Sequence, residues 1–347
     1  MSRGEKREKL LSALEGLTRT VVLEANMGSA IVTEYGARIL GVFVGDRQNP
    51  FWVSKNLPGV ISGREWNIGG NRLWVSPERR FYYRKPEGFE EWLCQSSLDP
   101  GGWSIASSSV KSVNLDGEAE LEDFASQTRI RLSFSRQISI HGSSVKKGLE
   151  YVGLRVRDAM AARGEAGNGV NLWSLTQVRP GESRSGTVIV PTCRGAEPIH
   201  YFGKIPRDRL MVSSNHVSFK IDGCAIYKLG IAPEDVPQPG CSRILYYVEH
   251  GKNEVFLISM RTMMAPVNQD ECLDVAKADP DGPKGCVQSY NSGPDLCFGE
   301  IELHFKPAAR VKDFLVSYAD YDIEVFAGKR GEVLRFLKRI VPKPFLF

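Results

Sequence analysis

Short apolar and β-branched runs, separated by Gly, Asn and Pro, recur along most of the chain. Examples lie at residues 21–25, 29–34, 38–44, 128–134, 149–156, 187–190, 244–248 and 255–260. With 34 Gly and 19 Pro, the chain has ample turn residues between such strands. Because no regular alternation of strands with helices is present, the pattern predicts stacked antiparallel sheets in a mainly β fold. No linker divides the pattern, so we expect a single β-sandwich domain over residues 19–347.

Helical spacing is found mainly at the two ends. Within residues 1–18, the apolar side chains repeat every three or four positions at Leu10, Leu14 and Leu17, which predicts an N-terminal helix packed on the domain. A second helix is predicted over Arg330–Ile340, with an apolar face and a basic face that we expect to be solvated. A helical turn is also predicted near Asp158–Arg163.

Composition and charge narrow the function classes. The 347 residues are 42% apolar, and 45 Lys plus Arg against 41 Asp plus Glu give a net charge of +4, which does not indicate a nucleic-acid partner. No run of 18 apolar residues predicts a membrane span, and residues 1–9 lack the apolar stretch of a secretory signal. The seven cysteines include no C-x-x-C pair, so we expect reduced thiols, no zinc site and a cytoplasmic protein.

The first candidate site is the stretch 68–78. Its two glycines allow a sharp turn or a close backbone approach, and Asn71 and Arg72 follow with several hydrogen-bond donors. Trp74 offers a flat apolar face suited to a sugar ring, and Glu78 follows a proline. The alternative is a tight turn with a buried Trp and an Arg–Glu ion pair. The phosphate-binding pattern G-x-x-x-x-G-K-[ST] is absent.

Two further stretches carry candidate residues. In 170–178, Trp173 and Gln177 lie on one face of a predicted strand, either as a sugar platform or as an edge strand with a buried Trp. The second region, 200–230, begins with His200. It also contains basic residues that could bind a uronate or phosphosugar, or could be ordinary surface charges: Lys204, Arg207, Lys220 and Lys228.

The stretch 288–305 is the most specific. Tyr290 and Asn291 lie near its start. Its end alternates strictly, so that Ile301, Leu303 and Phe305 are expected to enter the core. The opposite side then presents Glu300, Glu302 and His304 on a solvated face. Two carboxylates and an imidazole can form an acid/base set, in which crowding raises the pKa of one carboxyl group. The alternatives are a calcium site at Glu300 and Glu302, or a surface ion pair.

Taken in order, these stretches resemble the galactose mutarotase-like superfamily, and more closely an uncharacterised microbial branch of it. The matching segments extend over most of the chain and are 34–38, 49–52, 69–78, 172–177, 201–210, 288–294 and 300–302. The resemblance implies an antiparallel β-supersandwich whose concave sheet holds sugars, with short helices at the two ends.

The resemblance also implies an acid/base mechanism at the anomeric carbon of a sugar. In characterised mutarotases a Glu on a late strand is the base, which points to Glu302, or Glu300, in this chain. The usual histidine motifs are replaced by Arg72 with Trp74 and by Trp173 with Gln177. The candidate acids are therefore His200 and His304.

Three functions remain open from the sequence. The first is an aldose 1-epimerase-like isomerase without a cofactor or metal, and the second is a non-catalytic carbohydrate-binding protein. The third, a polysaccharide lyase- or hydrolase-related activity, rests on analogy of fold. In each case we expect a carbohydrate or acidic-sugar ligand, no nucleic-acid or membrane partner, and a monomer or homodimer.

Overall fold

The strands and helices are those of a computed structural model that describes residues 6–142, 149–163, 169–251 and 254–347. In these ranges the chain forms antiparallel strands with few helices, as the sequence predicts. The α-helices are α1 (Arg7–Leu14), α2 (Leu57–Ser62), α3 (Glu78–Phe81) and α4 (Arg330–Ile340). The strands are β1 (Thr20–Ala25), β2 (Gly28–Thr33), β3 (Arg38–Val44), β4 (Asn71–Ser76), β5 (Tyr83–Lys85), β6 (Glu90–Trp92), β7 (Ser104–Ser108), β8 (Ser112–Asp123), β9 (Thr128–His141), β10 (Leu149–Arg163), β11 (Asn171–Val178), β12 (Gly186–Pro191), β13 (Ile199–His200), β14 (Leu210–Val212), β15 (His216–Ile221), β16 (Tyr227–Ile231), β17 (Ser242–His250), β18 (Glu254–Thr262), β19 (Val287–Asn291), β20 (Gly299–Pro307), β21 (Ala309–Val311) and β22 (Phe314–Gly328).

Two large sheets contain almost all of these strands. The first sheet has nine strands in the order β1-β2-β3-β4-β11-β20-β19-β16-β13. The second sheet has eleven strands, ten of them in the order β14-β15-β12-β17-β18-β22-β10-β9-β8-β7, while β21 pairs with β22. The hairpin of β5 and β6 forms a separate two-stranded sheet. All of the pairings are antiparallel, so the expected fold class is confirmed.

The main core lies between the two large sheets. Leu73 of β4, Leu172 of β11 and Ile301 of β20 are fully or almost fully buried in it, together with Leu154 of β10 and Ile323 of β22. Burying an aliphatic side chain of this size stabilises the fold by about 1.5–3 kcal/mol. Because strand residues alternate between faces, the neighbours of these core residues on β4, β11 and β20 point away from the second sheet. We call that side of the first sheet the outer face.

The terminal helices pack on the two sheets from outside. Leu10 and Leu14 of α1 are buried against Leu57 of α2 and Leu40 of β3. The helix ends before Gly16, whose φ of 74° favours glycine. The apolar face of α4 packs on the second sheet through Val333 and other side chains. Residues 1–5 of the predicted N-terminal helix lie outside the described residues, and α4 has the predicted bounds.

One local prediction differs from the structure, and two short helices were not predicted. The turn predicted near Asp158–Arg163 lies inside the 15-residue strand β10, where burial alternates along the strand. The alternation of buried and less buried residues along the whole of β10 determines the conformation of this segment, and the sequence of residues 158–163 alone does not. The sequence also gave no signal for α2 and α3, which are only six and four residues long.

Candidate functional site

A row of aromatic rings crosses the outer face. Trp74 of β4 lies opposite Trp173 of β11, and Trp173 lies opposite His304 of β20. The ring centroids of Trp74 and Trp173 are 5.7 Å apart, and the His304 ring stacks on Trp173 at 5.0 Å with an interplanar angle of 20°. Directly opposed residues of antiparallel strands share one face, so the three rings form a continuous platform.

The next row carries the principal polar groups. Arg72 of β4, Leu175 of β11, Glu302 of β20 and Gln288 of β19 are successive cross-strand partners. Glu302 is two residues from His304 on β20, which separates their Cα atoms by about 7 Å on one face. The sequence-predicted acid/base residues Glu302 and His304 therefore lie together with Arg72 and Trp173.

A third row completes the outer face. Gln177 of β11 lies opposite Glu300 of β20, which lies opposite Tyr290 of β19, which lies opposite Lys228 of β16. The Gln177 amide donates to Asn67 Oδ1 at 2.9 Å. Like Glu302, Glu300 points toward the aromatic platform, so the predicted pair of carboxylates shares one surface.

Arg72 is held between a carboxylate and an indole. Its Nη2 donates to Glu300 Oε1 at 2.7 Å, and its guanidinium carbon lies 4.0 Å from the centroid of the Trp74 ring. The indole of Trp74 in turn donates to Asp99 Oδ2 at 2.7 Å, and the same oxygen accepts from Arg38 at 2.5 Å. This packing fixes the direction of Arg72 because both its charge and its flat face have partners.

The Lys228 ammonium lies among three carboxylates. Its Nζ is 3.3 Å from Glu78 Oε2, 3.5 Å from Glu302 Oε2 and 3.9 Å from Asp274 Oδ2. It also lies 4.6 Å from the centroid of the Trp173 ring. Burial alone would lower the pKa of Lys228, but these carboxylates together raise it well above its usual range. Lys228 therefore stays charged.

The charges of this group do not balance. Six charged side chains, all buried or half-buried, meet on the outer face, and we call them the outer-face cluster. They are the two cations Arg72 and Lys228 and the four carboxyl groups of Glu78, Asp274, Glu300 and Glu302. Burial raises the pKa of Glu302 to about 8, against the opposing effect of Lys228 and with added repulsion from Glu300 and Glu78. Burial therefore favours the protonated form of Glu302 over the carboxylate.

His304 has the opposite tendency. Burial, and then the nearby charge of Lys228, hold its pKa well below the usual value of 6.5. The ring is therefore held neutral, beside a carboxyl group whose protonated form is favoured by burial. This arrangement provides one group that can donate a proton and one that can accept a proton on the same face.

Several buried polar atoms of the outer face have no hydrogen-bond partner among the described residues. Such atoms are costly in a protein interior unless a ligand or water satisfies them. They include donors and acceptors, as a surface that binds hydroxyl groups requires. They are Nε and Nη1 of Arg72, Oε1 of Glu302, Nε2 of His304, Oε1 of Gln288 and Oε1 of Gln177.

The outer face is covered, in contrast to the solvated face expected from the sequence. Glu300, Glu302 and His304 are only 6%, 0% and 2% exposed. Aromatic side chains from the end of α3 and from the β5–β6 hairpin pack on the platform. Tyr82 packs on Trp74 at 4.9 Å and stacks on the exposed Trp92 of the β5–β6 hairpin at 6.2 Å. The Trp92 indole donates to Glu78 Oε1 at 3.0 Å. The hairpin and Glu78 therefore form part of the cover.

Three predicted site residues lie away from the outer face. Asn71 points between the two sheets, where its amide donates to Ser174 and Thr176. Asn291 also lies on the inward side of its strand and accepts from the backbone of Asp222 at 3.0 Å. His200 pairs with Leu229, on the face opposite Lys228, and its Nδ1 accepts from Ile205 N at 3.1 Å. Strand alternation explains all three positions.

Sequence reasoning did not single out several members of the site. Lys228 was one of four basic residues with no distinguishing signal, although it lies on a β-rich run two residues before Gly230. Asp274 comes from a loop, and no periodicity connects it with the outer face. Gln288 could have been found by alternation with Tyr290, two positions later on the same strand.

A groove of about 950 Å³ lies elsewhere on the molecule. It is lined by Arg131 of β9, Arg163 of β10 and Phe314 of β22, among others, and by none of the outer-face cluster. We place the candidate site at the outer face because the coupled charges and unpartnered polar atoms are there. The calcium alternative involves the same two carboxyl groups. Glu300 already pairs with Arg72, and Glu302 lies beside Lys228.

The described residues form neither a membrane-spanning helix nor a cluster of metal ligands. No helix within them is long and apolar enough to cross a membrane. In the same part of the chain, no group of three or more His, Cys, Asp or Glu side chains is arranged to hold a metal ion.

The comparison with protein families identifies the class of the chain. Residues 8–242 match the model of a family of unknown function, DUF6786. The match covers more than half of the sequence, and the chain belongs to this family. No curated protein matches the chain.

Solved structures that resemble the chain include many described as aldose 1-epimerases or galactose mutarotase-like proteins, the class named by the sequence resemblance. A putative aldose 1-epimerase from Escherichia coli K12 is 13% identical, with a TM-score of 0.48 over 90% of this chain and 99% of that chain. A putative mutarotase from Salmonella typhimurium is 12% identical, with a TM-score of 0.45 over 90% of each chain. A galactose mutarotase-like protein from Clostridium acetobutylicum is 9% identical, with a TM-score of 0.45 over 90% of this chain and 96% of that chain.

Proposed function

We propose that the outer face binds a carbohydrate and interconverts its anomers by acid/base chemistry, as an aldose 1-epimerase-like isomerase. The observation that carries the proposal is the meeting of Glu302 and His304 beside the rings of Trp74 and Trp173. Indole faces suit the apolar faces of sugar rings, and the unpartnered atoms around Arg72 suit sugar hydroxyl groups.

The protonation states assign the roles. Protonated Glu302 donates to the ring oxygen while the neutral imidazole of His304 removes the proton of the anomeric hydroxyl. The bond between the anomeric carbon and the ring oxygen breaks, and a carbonyl group forms. After rotation of the open chain, His304 returns its proton to the carbonyl oxygen, Glu302 recovers its proton, and the ring closes on the other side. This reverses the role of base that the resemblance implies for Glu302.

Arg72 and Lys228 support this chemistry without transferring protons. The pKa of a guanidinium group is too high for a proton donor, so Arg72 is suited to bind a hydroxyl or carbonyl oxygen. Lys228 lies 3.5 Å from Glu302 Oε2 and stabilises the carboxylate that forms when Glu302 gives up its proton. We expect both residues to position the ligand and the acid.

Ligand entry requires the cover to open. Arg72 and Trp173 are each only 2% exposed, whereas Trp92 of the β5–β6 hairpin is 39% exposed. The hairpin forms its own two-stranded sheet, so it can move without breaking the pairing of the first sheet. We expect a bound sugar to change the environment of Trp92.

The seven free thiols fit a reducing compartment such as the cytoplasm.

A non-catalytic carbohydrate-binding function is the second candidate. It is favoured by the close pairing of Arg72 with Glu300, which leaves the cluster partly satisfied without a ligand. In that case the face would bind a sugar, but Glu302 and His304 would serve only to hold it.

The two candidates are separated by exchange NMR of anomer interconversion across a panel of neutral and acidic sugars. The rate of anomer exchange catalysed by Glu302→Gln should be about 10²–10⁴-fold lower than that of the unmodified chain, because an amide cannot release a proton. Sugar binding, followed by Trp fluorescence, should persist. Glu120→Gln, at an exposed carboxylate on the second sheet, is the matched control and should keep full exchange.

The outcomes are distinct. Binding without exchange in the unmodified chain supports the second candidate. Unchanged exchange in Glu302→Gln contradicts the assignment of the acid, and an absence of binding for every sugar contradicts both candidates.

A further inference from the structure

Two cysteines meet where the turn at residues 222–226 passes the loop at residues 292–298. A Cβ atom at Gly223 would lie 2.7 Å from the Cα and 2.8 Å from the Sγ of Cys297, so only glycine allows this approach. Cys224 is the next residue along the chain. Since consecutive Cα atoms are 3.8 Å apart, the Cα atoms of Cys224 and Cys297 are separated by at most about 8 Å. A disulfide spans about 4.4–6.8 Å, so a small movement of the exposed turn brings the pair within range.

An arginine faces the same two sulfur atoms. Arg184 Nη1 donates to Cys224 Sγ at 3.3 Å. The pKa of Arg184 is raised first by this hydrogen bond and then by the charge of Cys297, so both sulfurs are within electrostatic range of one guanidinium. Cys224 is exposed and Cys297 is partly exposed. Exposed cysteines beside a cation are the ones that react with oxidants.

The other cysteines provide a contrast within the chain. Cys272 and Cys286 are buried, and burial raises the pKa of Cys286 to about 12, which keeps it in the unreactive thiol form. Cys193 is exposed, but its sulfur contacts the backbone carbonyl of Val236, not a cation. Cys224, in contrast, accepts a hydrogen bond from the guanidinium of Arg184.

We propose that Cys224 and Cys297 form a redox modification site that a hydroperoxide closes to a disulfide. Hydrogen peroxide oxidises the sulfur of Cys224 to a sulfenic acid and is reduced to water. The Cys297 sulfur then attacks that sulfur, its proton leaves with the hydroxyl group as a second water, and the S–S bond forms. Two thiols and one peroxide thus give one disulfide and two waters, with two electrons transferred.

The disulfide would join two segments that lead into the outer face. The turn with Cys224 enters β16, which carries Lys228 four residues later. The loop with Cys297 enters β20, and the ring of Phe298 packs on Trp52 at 4.9 Å and Tyr290 at 6.0 Å. The side chain of Asn291 already bridges the two segments through Asp222 and Ala225. Oxidation would therefore stiffen one edge of the candidate site.

Peptide mapping after oxidation tests the proposal. The full chain is treated with hydrogen peroxide, free thiols are blocked with iodoacetamide, and the digest is analysed without a reductant. We expect a cross-linked peptide containing Cys224 and Cys297, two hydrogens lighter than the two thiol peptides, which disappears on reduction. Cys224→Ser and Cys297→Ser should each lose it, and Cys193→Ser should retain it.

The contribution of Arg184 has its own readout. Arg184→Gln should slow formation of the cross-linked peptide several-fold, because the sulfur of Cys224 loses its cationic neighbour. Oxidation that leaves Cys224 and Cys297 unlinked, or that links either of them only to Cys193, overturns the proposal. The mapping does not depend on sugar binding, so its result stands apart from the proposed function.

Discussion

Adjacent residues of β4 take part in two charged clusters that differ in charge balance. Asn71 points inward and contacts Arg136 of β9, whose guanidinium lies 3.5 Å from Asp158 of β10. Tyr321 of β22 donates to Asp158 at 3.3 Å. We call these four residues the inter-sheet cluster. Arg72 points outward into the outer-face cluster.

The difference lies in how the charges are matched. The inter-sheet cluster has one cation for one carboxyl group, and its other members are neutral donors and acceptors. The outer-face cluster has two cations for four carboxyl groups, and burial, with repulsion from Glu300 and Glu78, raises the pKa of Glu302. Arg136 and Asp158 belong to the same sheet, and their side chains lie in the interior between the two sheets. A buried pair with matched charges stabilises the fold as long as both partners are present. An unmatched cluster with unpartnered atoms is instead suited to exchange protons and bind a ligand.

Removing the cation of the inter-sheet cluster should have the largest effect. Arg136→Met leaves Asp158 buried without its charged partner, and we expect the free energy of unfolding to fall by about 3–5 kcal/mol. Urea unfolding measures this loss. Arg131→Met, at an exposed position of the same strand, should leave the transition almost unchanged. Equal effects of the two substitutions would contradict a stabilising role for the inter-sheet cluster.

The outer-face cluster should appear in the pH dependence of stability. The pKa of Glu302 is about 8 in the folded chain against 4.5 for an ordinary Glu, so between these values the folded state binds more protons than the unfolded state. The contribution of the Glu302 proton to the free energy of unfolding is fully present below about pH 4.5 and is lost as the pH rises through about 8. The slope reaches at most about 1.4 kcal/mol per pH unit.

Glu302→Gln should remove this slope, so the variant gains stability relative to the unmodified chain as pH rises from 5 to 8. Urea unfolding at several pH values measures the difference. Asp158, whose pKa burial raises to about 6, contributes equally to both proteins and cancels. Parallel stability profiles for the two proteins are incompatible with a proton on Glu302.

Much of the fold followed from the alternating pattern of the sequence. The alternation of residues 300–305 predicted that Ile301, Leu303 and Phe305 enter the core, and all three are fully buried. The same alternation grouped Glu300, Glu302 and His304 on one face. Alternation along β4 also places Asn71 and Arg72 on opposite faces, but the glycines at 69 and 70 allow either a turn or a close backbone approach and do not show that a strand begins at Asn71.

The cover and the charge balance could not be predicted. Asp274 comes from a loop and Asp99 from the short irregular helical segment Ser97–Gly101, and no periodicity shows which face they approach. Trp92 lies on a three-residue strand, and its contact with Glu78 joins residues of separate local elements. The burial of Glu302 depends on all of these long-range contacts, so its raised pKa had no signal in the sequence beyond the presence of neighbouring carboxyl groups.

The most direct test of the account is an NMR titration of the Glu302 side-chain carboxyl carbon. In a chain labelled with ¹³C at glutamate carboxyl groups, the Glu302 resonance is assigned by its absence from Glu302→Gln. We predict a titration midpoint near pH 8, with the protonated form dominant at neutral pH. A midpoint near 4.5 would show an ordinary carboxylate and contradict the role of Glu302 as the acid of the outer face.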